Sequence, residues 1–82
     1  MRKVFYAVYD KKAEMYYPPF LETKDGVAIR AIQDVIASRD HPFAKHPEDF
    51  SLHRLGVFDD ASGDMENCDV EKLQELNNLI GE

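Results

Sequence analysis

Apolar and polar residues alternate from Lys3 to Asp10, with Val4, Tyr6 and Val8 on one side and Phe5, Ala7 and Tyr9 on the other. Valine and aromatic side chains suit a pleated surface, so this segment is predicted to be a strand covered on at least part of both faces. Asp10-Lys11-Lys12-Ala13 is a polar break of hairpin length, and Glu14-Met15-Tyr16-Tyr17 resumes strand character until Pro18-Pro19 removes two consecutive backbone donors. The second strand is expected to end or to run along an edge there, with Phe20-Leu21-Glu22 continuing it beyond a kink.

The period then changes. Ala28, Ile32, Val35 and Ile36, widened by Ile29, form one stripe at helical spacing, while Arg30, Gln33 and Asp34 point to solvent. This predicts a helix over about 24–39 that covers the sheet, with the Thr23 hydroxyl accepting from an early amide and Asp25 at the positive end of the helix dipole. Asp40-His41-Pro42 ends it, and a loop runs to Pro47-Glu48-Asp49, where proline followed by acids suits one helical turn. Phe50 to Phe58 reads as a strand whose parity is broken, since neither Leu52, Arg54, Gly56 and Phe58 nor Ser51, His53, Leu55 and Val57 make a clean apolar face. Gly56 inside it suggests a bulge or a close backbone approach.

Asp59 to Asp64 has the composition of a turn, with Gly63 free to take a positive φ, and Met65-Glu66-Asn67 is expected to return as a short strand. Asp69 then stands as the cap of a last helix in which Val70, Leu73, Leu76, Leu79 and Ile80 share a face and Gly81 provides the stop. The order is therefore β-β-α-β-β-α, an α+β fold with a small antiparallel sheet. At 82 residues the chain is expected to form a single domain over 1–82, burying only about 60 to 65% of its unfolded surface.

Charge separates the chain into two parts. Residues 1–54 hold nine Lys and Arg against eight Asp and Glu, a balance of +1; residues 55–82 hold Lys72 alone against eight acids, a balance of −7, giving the net −6 of the whole. So acidic a C-terminal third repels phosphate, which disfavours strong sequence-independent nucleic-acid binding unless folding segregates a basic face. Basic partners fit better. No run is long and apolar enough for a membrane span, and the basic start at Met1-Arg2-Lys3 is not followed by a signal-peptide pattern, so the chain is expected to stay in the cytoplasm. Cys68, the one cysteine, allows no internal disulfide.

Catalytic and metal-binding patterns are not legible. His41, His46, His53 and Cys68 match no ligand spacing, and Asp59, Asp60, Asp64 and Glu66 lack the closing glutamate of a calcium loop, so they read as an acidic turn. Ser38, Ser51 and Ser62 have no nucleophile frame, and Cys68 sits among acids that raise a thiol's pKa. The expectation is a protein that is not an enzyme and needs no cofactor. Tyr6, Tyr9, Tyr16 and Tyr17 beside Arg2, Lys3, Lys11 and Lys12 admit two readings: core filling, which the overall charge favours, or a surface on which single-stranded bases stack, centred on Tyr9, Tyr16, Lys11 and Lys12. The last helix likewise either packs on its own sheet or presents Val70, Leu73 and Leu76 to a neighbour, a second copy included.

Several segments carry a resemblance: Val8-Tyr9-Asp10-Lys11-Lys12-Ala13-Glu14, Pro18-Pro19-Phe20, Ala28-Ile29-Arg30, and above all the stretch from Pro42 to Asp60, with Pro42-Phe43-Ala44-Lys45-His46-Pro47-Glu48-Asp49-Phe50-Ser51-Leu52 and Leu55-Gly56-Val57-Phe58-Asp59-Asp60. Together they resemble the small nonstructural protein of gokushoviruses, single-stranded DNA phages of the Microviridae. The resemblance spans residues 4 to about 62 and fades beyond Gly63, which leaves 69–82 as a C-terminal helix outside it. The family is likened to protein C of other microviruses. That implies a noncatalytic role in the bacterial cytoplasm: switching the replication complex to single-stranded genome synthesis and packaging into procapsids. The implied partners are the phage replication initiator or procapsid proteins, met through the loop bearing Phe43, Lys45 and Glu48 and the acidic turn bearing Asp59 and Asp60, the alternative for Phe43 being that it plugs the end of the core.

Overall fold

The alternating N-terminal segment forms strand β1 (Arg2–Asp10), the centre on which the rest of the sheet is built. The computed structural model describes residues 1–79, without the side chains of Asn67 and Cys68. After β1 come β2 (Met15–Tyr16), β3 (Phe20–Glu22), helix α1 (Asp25–Ala37), a short helix α2 (Pro42–Lys45), a 3-10 turn at Pro47–Asp49, β4 (Phe50–Asp59), β5 (Met65–Glu75) and a second 3-10 turn at Leu76–Leu79. All strand pairs are antiparallel, in the order β2-β1-β4-β5, with β3 also pairing β1. The fold is α+β with a small antiparallel sheet, as expected. Pro18 and Pro19 fall between β2 and β3, dividing one segment into two short edge pieces on the same side of β1 because neither proline can donate to a ladder.

The Asp10 carboxylate shapes the first turn, accepting from the backbone amides of Lys12 and Ala13 at 2.9 and 3.1 Å. In α1 the expected stripe is buried, with Ala28, Ile32 and Ile36 one helical repeat apart facing the sheet. The start of α1 differs from expectation. Lys24 is the capping position and makes no side-chain cap bond, so Thr23 does not cap. Asp25 instead accepts from the Tyr6 hydroxyl at 2.6 Å and from Arg54 at 2.9 Å, which ties the first turn of α1 to both central strands.

Strand β4 explains its own broken parity. Tyr6 pairs with Arg54 but Phe5 pairs with Gly56, so Leu55 is an extra residue, a bulge. Before it, Phe50, Leu52 and Arg54 share the helix side with Val8 and Tyr6; after it, Val57 takes that side opposite Val4, and Phe58 moves to the far side opposite Lys3. The core lies between α1 and this face, and consists of Tyr6, Val8, Ala28, Ile32, Ile36, Phe43, Phe50, Leu52, Leu76 and Leu79. Both helices pack on that core side, so among the described residues the far face of the sheet carries no helix, and the Cα positions span only 17 Å in the shortest direction.

The C-terminal segment requires a correction. Asp69–Leu79 do not form an α-helix: β5 runs from Met65 through Glu75 as the outer strand, and Leu76–Leu79 follow as a 3-10 turn. Helix propensity is a weak prior, and here it loses to the pairing needs of β4. A return strand confined to 65–67 would have left the Phe50–Leu55 edge of β4 without backbone partners, whereas β5 pairs as far as Ser51 with Glu75. The threefold apolar spacing survives through irregularity. Leu73 falls out of register between the pairs His53–Lys72 and Leu52–Gln74 and packs against the core, while a second register shift separates Glu71 from Asn67. Consequently Val70 is exposed, Leu73 half-buried and Leu76 fully buried, so the three do not make one docking face. Ile80 and the expected stop at Gly81 lie outside the described residues.

Phe43 is corrected as well. The segment 40–49 is a folded plug, in which Pro42 begins α2 and the His41 Nδ1 accepts from the Phe43 amide at 3.2 Å. Phe43 is only 5% exposed, with its ring centroid 4.8 Å from Phe50 and 5.1 Å from Tyr17. It closes the end of the core and is unavailable to a partner. Replacing Phe43 by Ala should therefore lower stability by about 3–5 kcal/mol, the usual range for a buried phenylalanine. Urea denaturation reads this directly, and a loss under about 1 kcal/mol would contradict the core assignment.

Candidate functional site

The acidic C-terminal strand is not a free acidic surface. Arg2 pairs with Glu66 at 3.0 Å, Lys3 with Asp60 at 3.5 Å, Lys11 with Glu75, and Arg54 with Glu71 as well as with Asp25. Lys72 reaches the other Glu75 oxygen at 2.8 Å. Antiparallel pairing in the order β1-β4-β5 thus brings cations of the first two-thirds of the chain against acids of the last third. Of the two lysines singled out for DNA, Lys11 is neutralised in this way, and Lys12 is exposed in the turn with no ion pair among the described residues.

Asp59 and Asp60 serve the N-terminus. The Met1 ammonium lies 2.6 Å from Asp60 and 3.7 Å from Asp59, and its pKa is raised chiefly by the hydrogen bond that it donates to Asp60. Both carboxyls are held below their usual range, Asp59 by the Ala61 backbone amide that donates to it and Asp60 by the ammonium itself. Gly63 takes a φ of 82°, as its position in the turn requires. Lys45 and Glu48 are exposed around the plug. There His46 comes within 4.8 Å of Glu48 and Asp49, a local product of the 3-10 turn at the protein surface.

The far face of the sheet collects residues that the sequence pattern separated. Register places Lys3, Phe5, Ala7 and Tyr9 of β1 there with Ser51, His53, Gly56 and Phe58 of β4, Leu21 of β3, Tyr16 of β2, and Met65, Lys72 and Glu75 of β5. Tyr9, Tyr16 and His53 form one aromatic group, with centroids 4.7 Å apart for the two tyrosines and 5.6 and 6.0 Å from these to the imidazole. Phe5 and Phe58 form a second, 6.1 Å apart. Beside that pair a shallow groove of about 190 Å³ is lined by Phe5, Pro19, Leu55, Gly56, Met65 and Glu66. Its volume is below the roughly 300 Å³ at which small-molecule sites begin. Tyr6, grouped with the other tyrosines from sequence, lies on the helix side in the core. Phe5, His53, Phe58 and Lys72 were not legible as one surface, because the bulge at Leu55 is invisible to simple alternation.

Two groups on this face have displaced ionisation: Glu75, whose pKa the bonds from Lys11 and Lys72 lower, and His53. Burial beneath its neighbours lowers the His53 pKa, and the charge of Lys72 lowers it further against the opposing pull of Glu75. Its Nε2 lies 2.9 Å from the Ser51 hydroxyl, and its Nδ1 is buried without a hydrogen-bond partner, so a second proton there is poorly accommodated.

The family model described as Phage ORF5 protein matches residues 3–79, and the chain belongs to that family; it is a bacteriophage protein. The match continues past Gly63 to Leu79, so β5 lies inside the matched span rather than beyond it. No curated protein and no solved structure matches the chain. Among the described residues no helix is long and apolar enough to cross a membrane.

The depressed His53 pKa sets a pH dependence. The unfolded chain takes up this proton near pH 6.5 and the folded site resists it, so the contribution to stability is complete above about pH 6.5 and is lost as pH falls below it. The carboxyls of Asp59, Asp60 and Glu75, whose pKa values are lowered, withdraw their contribution only in the more acidic range below their unfolded values. The denaturation midpoint should therefore drop between about pH 7 and pH 5.5, and His53→Gln should flatten that drop. An equal drop in the variant would show that another group is responsible.

Proposed function

We propose that this Phage ORF5 family member is a noncatalytic adaptor in phage genome synthesis and packaging. It works in the bacterial cytoplasm by binding the replication initiator or the procapsid, and it helps shift the replication complex to making and packaging single-stranded genomes. The observation that carries the reading is the internal pairing of Arg2, Lys3, Lys11 and Arg54 with acids of the C-terminal third. That pairing engages four of the ten Lys and Arg of a molecule that is already net negative, a sign suited to a protein partner with basic residues rather than to strong phosphate binding.

Burial decides which expected contact residues can serve. Phe43 and Leu76 belong to the core, and Asp59 and Asp60 hold the N-terminus. Lys45 and Glu48 on the plug, and Val70 on the outer strand, stay exposed, while Leu73 is half-buried. Val70 is 55% exposed amid acids on an edge strand, a place where an apolar side chain gains by being covered.

Two titrations test the reading. Purified initiator and procapsid from the same phage should include one that binds this protein directly, and Val70→Asp or Glu48→Lys should weaken that complex about fivefold or more while the variants stay folded, as loss of an interface contact worth about 1 kcal/mol would. Single-stranded DNA titrated near 150 mM salt should show no submicromolar binding, the condition being stated because phosphate contacts are salt-dependent. Submicromolar binding lost on replacing Lys11 and Lys12 by Glu would replace the adaptor with a single-stranded DNA-binding protein.

A further inference from the structure

The helix-free face of the sheet combines two properties that the sequence keeps apart. It is aromatic at both ends, with Tyr9, Tyr16 and His53 at one and Phe5 and Phe58 at the other. It is also weakly positive, since register assigns Lys3 and Lys72 to it and Lys11 reaches it through Glu75, while Asp60 stands at its rim beside Lys3. The helix side is different in sign: Asp25, Glu66 and Glu71 fall there against Arg2 and Arg54. Folding thus segregates a weakly basic aromatic face from an acidic remainder.

We propose that this face is a low-affinity platform for a single-stranded nucleic acid, with bases stacking on Tyr16 and on the Phe5–Phe58 pair and phosphates meeting Lys11, Lys72 and Lys3. Stacking is sequence-tolerant because every base has a π-face, and a sheet holds its rings in place without reorganisation. Phe5 and Tyr9 lie four residues apart on β1, roughly 13 Å along the strand. That separation matches about two to four nucleotides. Tyr16, 44% exposed, offers an open ring face, whereas Tyr9 and His53 support it from below. The ion pairs of Lys11 and Lys72 with Glu75 are at the surface, where such pairs add little stability, so they compete with phosphate without excluding it and keep the affinity low.

A second copy of the chain is the competing occupant, and charge argues against it. Symmetric packing of two such faces would bring the lysines of one copy toward those of the other, and lysine is depleted from the buried centre of protein interfaces. The platform is a different surface from the exposed plug and outer-strand residues assigned to a protein partner. Either assignment can fail while the other stands.

Amide chemical shifts of the intact protein, followed during titration with oligothymidylate, test the proposal and report folding at the same time. The expected result is fast-exchange perturbation at Phe5, Ala7, Tyr9, Tyr16 and His53 but not along α1, with affinity falling roughly tenfold between about 50 and 200 mM salt for two or three phosphate contacts. Tyr16→Ala, at an exposed position, should weaken binding about tenfold with the spectrum otherwise unchanged, and Lys72→Glu should weaken it further and flatten the salt dependence. Equal shifts with oligouridylate would support a platform indifferent to the sugar, and weaker ones a preference for DNA. Absence of shifts at low salt, shifts confined to the helix side, or full binding by Tyr16→Ala would overturn it. Concentration-dependent shifts of the same amides without any oligonucleotide would assign the face to self-association instead.

Discussion

One extra residue, Leu55, organises this molecule. An antiparallel strand has a side-chain period of two, so a single inserted residue exchanges the faces of everything beyond it. Ahead of Leu55, β4 sends Phe50 and Leu52 into the core and Arg54 to Asp25; beyond it, Val57 regains the helix side opposite Val4 and Phe58 joins Phe5 on the far side. A regular strand would have put Phe58 into the helix layer and Val57 on the open face. The core, the ion pair at the start of α1 and the aromatic far face all follow from that displacement.

Arg54, immediately before the bulge, links three elements. It bonds Asp25 of α1 and Glu71 of β5 while sitting on β4, and Asp25 in turn accepts from the Tyr6 hydroxyl of β1. The guanidinium pKa is raised first by its bond to Glu71, and the Tyr6 hydroxyl is raised far above its ordinary value, mainly by burial and then by the Asp25 bond. Surface ion pairs taken singly contribute little. Here, however, a planar donor with two carboxylate partners fixes the start of a helix that lacks a side-chain cap.

The same sorting of charge defines what the surface can do. Sequence separation placed the acids in the last third of the chain, yet β5 lies next to β4 with β1 beyond, so opposite charges from distant segments meet across the sheet. What solvent reaches differs by side: acids and Val70 along the outer strand, and across the far face the exposed Tyr16, Lys11 and Lys72 beside half-buried rings. Among the described residues both helices cover the core side, which leaves the other sheet surface open for contact.

The sequence by itself determined the α+β class, β1, the buried stripe of α1, the 3-10 turn at Pro47 and the acidic turn with Gly63, because each rests on local chemistry: alternation, helical spacing, proline geometry and turn-forming side chains. Its glycine at 56 even pointed to the bulge, although not to which neighbour was extra. Only the tertiary structure decided the rest. Threefold spacing from Val70 to Leu79 is compatible with a helix, and the unpaired edge of β4 drew the segment into a bulged strand instead. Phe43 looked like a loop residue until the plug folded over the end of the core against Phe50 and Tyr17. The surface formed by Tyr9, Tyr16, His53, Phe5 and Phe58 exists only through register, since residues more than forty positions apart become neighbours when β1 and β4 pair and no local pattern encodes that distance.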